Sequence, residues 1–284
     1  MKNILVIGAG SGVGAEIRKQ LEHEAYHVIG ASRQAENRTE AEGLSWRYYE
    51  ASETSDLSKL FDGVDLAFFM SSPGLVQQDK VLIPLIEAAK AAELEKVVMM
   101  TAIGVDASDE IPFRKAELAL ENAGLPYAVI RPNWFYQNLS TYWLDGIINQ
   151  KKLSVPAGQG KTSFIDVRDI AACAIALLTN GQADNRAFVL TGPESLGYTE
   201  VAEQLSAATQ QSITYEDIAP ETFKQGLLTA SIPEDFADFL VGILGFVKAG
   251  YVAEVSNEVE KILGRPASPL RQYLDDTKQV WAFE

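Results

Sequence analysis

The first 132 residues alternate short apolar runs with segments whose apolar residues recur at helical spacing. Near-continuous apolar runs are typical of strands that are buried on both faces of a sheet. Strands that alternate with helices in this way predict a parallel sheet covered by helices on both sides, a doubly wound α/β fold. The strands are predicted at Ile4–Ile7, His27–Ala31, Trp46–Tyr49, Leu66–Met70, Val97–Thr101 and Ala128–Ile130, and the helices at Ala15–Glu24, Asp56–Phe61, Val76–Ala92 and Phe113–Asn122.

The alternation stops after Pro132, where the chain becomes a mixture of helix and loop. A helix is predicted from Val167 to about Thr179, and a strand at Arg186–Thr191 is expected to rejoin the sheet. The pattern beyond that strand is mostly helical. We therefore expect a core over residues 1–155 and a C-terminal part over 156–284, in which 160–191 return to the sheet and 192–284 form a smaller lobe.

Composition and charge exclude several classes of protein. The 284 residues carry 24 Lys and Arg against 39 Asp and Glu, a net charge of -15. The acidic excess is spread along the chain and no basic stripe occurs, so we expect no nucleic-acid partner. A single cysteine, Cys173, favours a reducing cytoplasm. The longest apolar run, Phe239–Val247, is far shorter than the roughly 20 residues of a membrane helix. It is a candidate lid, a buried part of the lobe or a dimer contact.

A cluster of glycines follows the first predicted strand and precedes the first predicted helix. A pyrophosphate can approach a helix N-terminus where no Cβ atom stands in the way, and the N–H groups and helix dipole there stabilise its charge. A turn that is merely tight is the alternative. Because the cluster has a strand before it and a helix after it, we predict a Rossmann fold that binds a dinucleotide through Gly8, Gly10, Ser11, Gly12, Val13 and Gly14.

The end of the second predicted strand indicates which dinucleotide binds. An acidic residue at this place accepts hydrogen bonds from the ribose hydroxyls of NAD, but here the chain has Ser32 and Arg33. The forked guanidinium of an arginine suits a 2′-phosphate instead. A solvated surface arginine is the alternative. The sequence therefore predicts NADP(H) as the cofactor, bound in part by Ser32 and Arg33.

Three further segments follow predicted strands. Small residues after the fourth strand, Ser71, Ser72 and Pro73, leave room for the ribose and nicotinamide, although small residues also simply end strands. Aromatic residues after the sixth strand, Trp134, Phe135 and Tyr136, suit a flat pocket for an aromatic acceptor or a plain core. We expect Asn138 to tie that loop to the backbone. His23 and His27 have no Cys or Asp at ligand spacing, so no metal site is expected.

Six further segments add to these motifs: Gly63–Asp65, Lys115–Glu117, Ala123–Tyr127, Arg131–Asn138, Phe164–Ala171 and Leu190–Glu194. Together with Arg33 and the glycine turn Gly8–Gly14, which has the spacing Gly-x-x-x-Gly-x-Gly, they resemble the NmrA-like group of atypical short-chain dehydrogenases and reductases. The resemblance covers essentially the whole chain and is nearest to the festuclavine-type dehydrogenases; the layout is also similar to NADPH:quinone and triphenylmethane reductases. It implies an NADP(H)-binding fold and hydride transfer to a conjugated or cationic acceptor. It also implies that Lys115 binds the nicotinamide ribose and makes Thr101 a catalytic candidate, although Thr101 could equally serve packing.

One departure from the wider superfamily restricts the chemistry. Its Tyr-x-x-x-Lys pair would fall at Ile111 and Lys115, so the tyrosine that protonates an alkoxide is missing. Ordinary ketone reduction is therefore disfavoured, whereas an iminium, quinone or cationic dye needs positioning more than acid catalysis. We expect an NADPH-dependent reductase of a small aromatic or conjugated substrate, acting as a monomer or homodimer.

Two other interpretations stay open at the level of sequence. The first is a regulatory protein that senses NADP(H) without turning it over, as the namesake of the resembled group does. The second is a plain carbonyl reductase, which would need a substitute acid such as Tyr136.

Overall fold

The computed structural model describes residues 1–22, 24–51 and 57–282, and His23 lies outside them. The chain divides into two compact units. The first consists of Met1–Pro132 and Val167–Val189, and the second of Asn133–Asp166 and Leu190–Glu284. The sequence places its first boundary at residue 155, whereas the first unit breaks off at Pro132, where the sixth strand of the sheet ends. Val167–Val189 then belongs to the first unit because it supplies a further helix and most of the last strand.

The first unit is built on a seven-stranded sheet with the strand order β3-β2-β1-β4-β5-β6-β9. Every pairing from β3 through to β6 is parallel, which confirms the predicted doubly wound fold. The strands are β1 (Lys2–Ile7), β2 (Tyr26–Ser32), β3 (Leu44–Tyr48), β4 (Leu66–Phe69), β5 (Lys96–Met100), β6 (Tyr127–Pro132) and β9 (Ala187–Leu190).

Four helices cover this sheet. Helix α1 (Gly12–Leu21) packs against α4 (Val167–Thr179), and α2 (Asp79–Ala91) packs against α3 (Pro112–Glu121). Alternate strand residues such as Leu5, Phe69 and Val97 share one apolar core with α2 and α3. Both neighbours of Leu5 and of Val97 are also buried, as expected for strands covered on both faces.

The predicted helix at Asp56–Phe61 does not form over the residues that the structure describes. Asp56 lies outside them, and residues 57–61 form turns in which the Leu60 N–H donates to the Leu57 carbonyl. Three apolar residues at helical spacing suggested a helix here, but Gly63 takes a left-handed φ of 64° shortly afterwards. The segment has room for little more than one turn, which is too short to stabilise a helix.

The second unit combines two small sheets with helices. Its elements are β7 (Lys152–Ser154) paired in parallel with β11 (Thr214–Glu216), β8 (Lys161–Thr162) paired antiparallel with β10 (Leu196–Gly197), and the helices α5 (Tyr198–Thr209), α6 (Pro220–Thr229), α7 (Glu234–Lys248), α8 (Glu258–Leu263) and α9 (Leu270–Asp276).

The apolar run Phe239–Val247 belongs to α7. Leu244 and Val247 are buried within their own unit, whereas Phe239 and Phe246 are exposed. The run therefore packs on one side only, and its possible use as a lid or dimer contact stays a prediction. No helix in the described part of the chain is long and apolar enough to cross a membrane.

Candidate functional site

The predicted cofactor segments meet at one edge of the sheet. Strand β1 lies between β2 and β4, so the strand order reverses beside it, and such a switch point leaves a crevice at the carboxyl ends of the strands. The glycine turn follows β1, and Ser71–Pro73 follow β4. A methyl group placed at Gly8 would lie 2.8 Å from the Met70 sulfur atom. The turn and the end of β4 are therefore neighbours at this edge.

The glycines of the turn serve different purposes. Gly8 and Gly12 have left-handed φ angles of 78° and 55°, which glycine adopts without strain. A Cβ atom at Gly14 would lie 2.4 Å from the Gly8 carbonyl oxygen, so only glycine lets α1 approach β1 this closely. No described atom lies within 4 Å of the corresponding position at Gly12. The start of α1 therefore lies close to β1, and the space next to Gly12 is empty of described atoms. This arrangement leaves room for a pyrophosphate at the helix N-terminus.

Two other residues of the predicted set have different parts in the turn. Ser11 is exposed immediately before α1, where its side chain can reach a ligand. Val13 is 1% exposed, so only its backbone N–H is available to a phosphate. The first N–H groups of a helix have no partner within it, which makes this contribution possible.

Two arginines lie near the end of β2. Arg33 is exposed, and the neighbouring Ser32 hydroxyl accepts a hydrogen bond from the Gln34 N–H at 3.1 Å. Arg38, which the sequence analysis did not select, approaches the glycine turn: a Cβ atom at Gly10 would lie 2.6 Å from Arg38 Nη2. The signal that could have found it is a second arginine in the same acidic stretch after β2.

Thr101, the catalytic candidate, is engaged in a buried polar network. Its hydroxyl donates a hydrogen bond to Glu117 Oε1 at 2.7 Å. The same carboxylate accepts from Arg131 at 3.0 Å and 2.6 Å and from Arg114 Nη1 at 3.0 Å. Glu117 has no exposed surface, so these bonds replace the water it loses. The network explains why Thr101 stands at this strand end, and its catalytic role stays a prediction.

Arg131 extends this network to the protein surface. Its Nη1 atom pairs with Asp106 at 2.5 Å. Burial disfavours the guanidinium cation, but the hydrogen bonds to Glu117 and Asp106 outweigh that cost and raise the pKa of Arg131 above its ordinary value. Arg131 therefore stays charged, and the network carries a permanent cation beside its buried carboxylate.

Lys115 lies in the first turns of α3, and Ile111 immediately precedes that helix. The Lys115 ammonium pairs with Glu110 at 2.8 Å, and this hydrogen bond raises the pKa of Lys115. Glu110 is strongly exposed, and a surface pair of this kind contributes little to stability. Lys115 could therefore exchange Glu110 for a ribose hydroxyl at little cost in stability. Its predicted role in binding the nicotinamide ribose stays a prediction.

The aromatic residues after β6 are not equivalent. Tyr136 has no exposed surface and stacks between Phe164 and Tyr273. It belongs to the core of the second unit, and it has no exposed surface with which to line the predicted acceptor pocket. Trp134 and Phe135 are half-buried, and Trp134 stacks on Trp143.

A buried asparagine holds this loop in place. Asn133 donates to the Val252 carbonyl at 2.8 Å and to the Ser163 hydroxyl at 2.7 Å. Its side-chain oxygen accepts from the Trp134 N–H at 2.8 Å. In the described part of the chain, the role predicted for Asn138 thus falls to Asn133.

Comparison with known proteins identifies the family. Residues 8–181 match the model of a family described as NAD(P)H-binding. The chain belongs to this NAD(P)H-binding family. The match begins at the first glycine of the turn and includes the whole carboxyl edge described above.

Several relatives of the chain are named as reductases or dehydrogenases. The chain is 31% identical over 276 residues to an NAD(P)H azoreductase from Xenophilus azovorans, covering 95% of this chain and 96% of that protein. It is 25% identical over 284 residues to agroclavine dehydrogenase from Claviceps fusiformis, covering 98% of both. The predicted relation to clavine dehydrogenases is thereby confirmed, and so is the prediction of an NAD(P)H-dependent oxidoreductase.

A solved structure shares the fold. The NADPH-dependent quinone oxidoreductase of Escherichia coli, in complex with NADPH, has a TM-score of 0.82 to this chain at 22% identity. The alignment covers 96% of this chain and 99% of that one.

The described residues contain no group of three or more His, Cys, Asp or Glu that could hold a metal ion.

Proposed function

We propose that this chain is a cytoplasmic, NADPH-dependent reductase that transfers a hydride to a conjugated or cationic organic acceptor, such as an azo dye, a quinone or an iminium ion. The observation that carries the proposal is Ile111, which stands at the start of α3 in the place of the proton-donating tyrosine of the wider short-chain dehydrogenase superfamily. The azoreductase and the clavine dehydrogenase among the relatives support an acceptor of this class.

The cofactor is held by the carboxyl edge of the sheet. The N–H groups around Gly12 bind the pyrophosphate, and Arg33 pairs with the 2′-phosphate. The small residues Ser71–Pro73 leave room for the nicotinamide half, and Lys115 donates to its ribose. When bound, NADPH supplies a hydride. The chain's own contribution is to orient the nicotinamide and to exclude water from it.

The acceptor needs no acid from the protein. A hydride that reaches an iminium carbon or a cationic dye neutralises the positive charge, so no proton is required. A quinone or azo group that takes a hydride becomes an anion, and water supplies its proton. Ketone reduction produces a localised alkoxide, and neither candidate position supplies its proton: Ile111 has none to give, and the buried Tyr136 donates its hydroxyl proton to the Ser268 carbonyl at 3.3 Å.

Trp134 and Phe135 are the proposed contacts of the acceptor. Both residues are half-buried, whereas Tyr136 has no exposed surface. Flat aromatic side chains stack on flat conjugated ligands with a favourable energy beyond simple burial. The acceptor is therefore held by ring stacking in the loop that Asn133 fixes.

Turnover with a panel of acceptors tests the proposal. NADPH consumption is followed with an azo dye, a quinone, an iminium ion and an unactivated ketone at matched concentrations. General acid catalysis is worth about 10²- to 10⁴-fold, so the ketone should be slower by at least about 10². Fast ketone reduction with the conjugated acceptors inert would contradict the proposal. Tight NADPH binding without turnover of any acceptor would instead favour a cofactor-sensing protein.

A further inference from the structure

Trp46 lies flat against β2 because of a glycine opposite to it. Gly30 and Trp46 are partners in the β2–β3 register. A Cβ atom at Gly30 would lie 2.6 Å from two carbon atoms of the indole ring, so any other residue would displace it. The indole N–H also donates to the Thr39 carbonyl at 3.1 Å. The ring is thus fixed beside the loop that follows β2.

Arg38 lies on this ring and points to the glycine turn. The Arg38 guanidinium carbon is 5.2 Å from the centre of the Trp46 ring, a distance at which a cation is attracted to the indole face. Its Nη2 atom is the closest neighbour of the space above Gly10. Trp46 therefore directs the cation toward the turn that binds the cofactor.

Among the described residues, the Arg38 guanidinium has no carboxylate as an ion-pair partner. Among residues 1–22, 24–51 and 57–282, neither Arg38 nor Arg33 forms an ion pair with a carboxylate, although the chain has 39 acidic residues. The Nε atom of Arg38 is buried and has no hydrogen-bond partner in the same range. A buried donor without a partner costs free energy unless a ligand satisfies it.

We propose that Arg38 is a second cation for the 2′-phosphate of NADPH, acting together with Arg33, and that Trp46 is the residue that positions it. This inference rests on the proposed function. The 2′-phosphate is favoured over the pyrophosphate because Arg38 shares the loop after β2 with Arg33, whereas the pyrophosphate lies at the start of α1. Two forked cations satisfy more of the phosphate oxygens than one.

The test is the affinity of Arg38→Gln and Arg38→Lys for three probes, measured by calorimetry: NADPH, NADH and adenosine 2′,5′-bisphosphate. Arg38→Gln should lower the affinity for NADPH and for the bisphosphate by roughly 10- to 100-fold, and the affinity for NADH by less than about 3-fold. Arg38→Lys should fall between, because it keeps the charge and loses the fork. Arg271→Gln, the same substitution at an exposed arginine of α9, is the control and should change nothing.

Substitutions of Trp46 provide an independent test. Trp46→Leu should lower the affinity for NADPH a few-fold and leave the affinity for NADH unchanged. Trp46→Phe should keep most of the wild-type affinity for NADPH, because phenylalanine still offers a ring face to Arg38. Circular dichroism verifies that each variant folds. The inference would be overturned if Arg38→Gln lost equal affinity for NADPH and NADH, or lost no affinity for either cofactor.

The two proposals fail in different ways. Wild-type protein that reduces conjugated acceptors with NADPH, while Arg38→Gln keeps its full affinity, would leave the proposed function intact and refute the role of Arg38. Wild-type protein that binds NADPH through Arg38 but reduces no acceptor would refute the proposed function alone.

Discussion

Gly12 and Gly14 are two residues apart and should respond differently to a methyl group. In Gly14→Ala the new Cβ meets the Gly8 carbonyl oxygen, so α1 must move away from β1, and overpacking of this kind costs about 1 to 3 kcal/mol. In Gly12→Ala the space is open and only the left-handed φ is penalised, by about 1 to 2 kcal/mol.

The difference appears in cofactor binding. Gly12→Ala should weaken NADPH and NADH equally, because its methyl group occupies the space that fits a pyrophosphate. Thermal unfolding and calorimetry measure both effects. A Gly14→Ala protein as stable as the wild type would show that α1 does not approach β1 as described.

Arg33 should decide between the two cofactors. Arg33→Ala removes one charged partner of the 2′-phosphate, so NADPH should bind about 10- to 150-fold more weakly, with NADH nearly unaltered. Added salt should reduce the wild-type preference, because Arg33 is exposed and its field is screened. Titration of both cofactors against both proteins measures this. Equal affinities of the wild type for NADPH and NADH would refute the assignment.

Helix α3 is tied to β5 and β6 by the carboxylate of Glu117. Among the described residues, Glu117→Gln leaves the buried Arg131 with one charged partner, the exposed Asp106. Breaking a buried ion pair typically costs about 3 to 5 kcal/mol, so we expect a loss near the lower end. Glu121→Gln is the matched control on the same helix: it pairs with Arg114 at the surface, and its loss should stay below about 1 kcal/mol. The free energy of unfolding is measured with denaturant. Equal losses of this free energy in Glu117→Gln and Glu121→Gln would contradict the account.

The loop after β6 contains both core and candidate pocket residues. Tyr136→Ala should destabilise the chain by about 3 to 5 kcal/mol, as expected for a buried aromatic ring. Trp134→Ala should instead raise KM for aromatic acceptors and leave NADPH affinity unchanged. Unchanged kinetics in a folded Trp134→Ala protein, for every acceptor that is turned over, would exclude it from the pocket.

The same loop shows where sequence reasoning stops. Trp134, Phe135 and Tyr136 are consecutive aromatic residues outside regular structure, so no periodicity tells which ring turns inward. Asn133 was missed for the same reason: its hydrogen bonds join residues 30 and 119 positions away in the chain. Arg38 was missed because its importance depends on Trp46 and Gly10, which come together only in the folded sheet.

At the scale of the whole molecule, the periodic part of the chain was predictable. All seven predicted strands form, each within two residues of its expected ends, because a strand buried on both faces must be a continuous apolar run. The boundary between the units was not, since the chain leaves the first unit at Pro132 and returns at Val167. The alternation of strands and helices does stop at Pro132, but nothing in the sequence shows that Asn133–Asp166 joins the C-terminal residues in the second unit.

The central claim is that the chain transfers a hydride from NADPH directly to a conjugated or cationic organic acceptor. NADPH that carries deuterium at carbon 4 of the nicotinamide, on the transferred face, is incubated with the protein and a cationic triphenylmethane dye. The carbon–hydrogen bond formed at the former cationic carbon does not exchange with water, so mass spectrometry of the product records the origin of that hydrogen. We predict one deuterium per molecule of product in ordinary water, and none when unlabelled NADPH is used in deuterated water. Deuterium that comes from the solvent, or unchanged dye, would contradict the account.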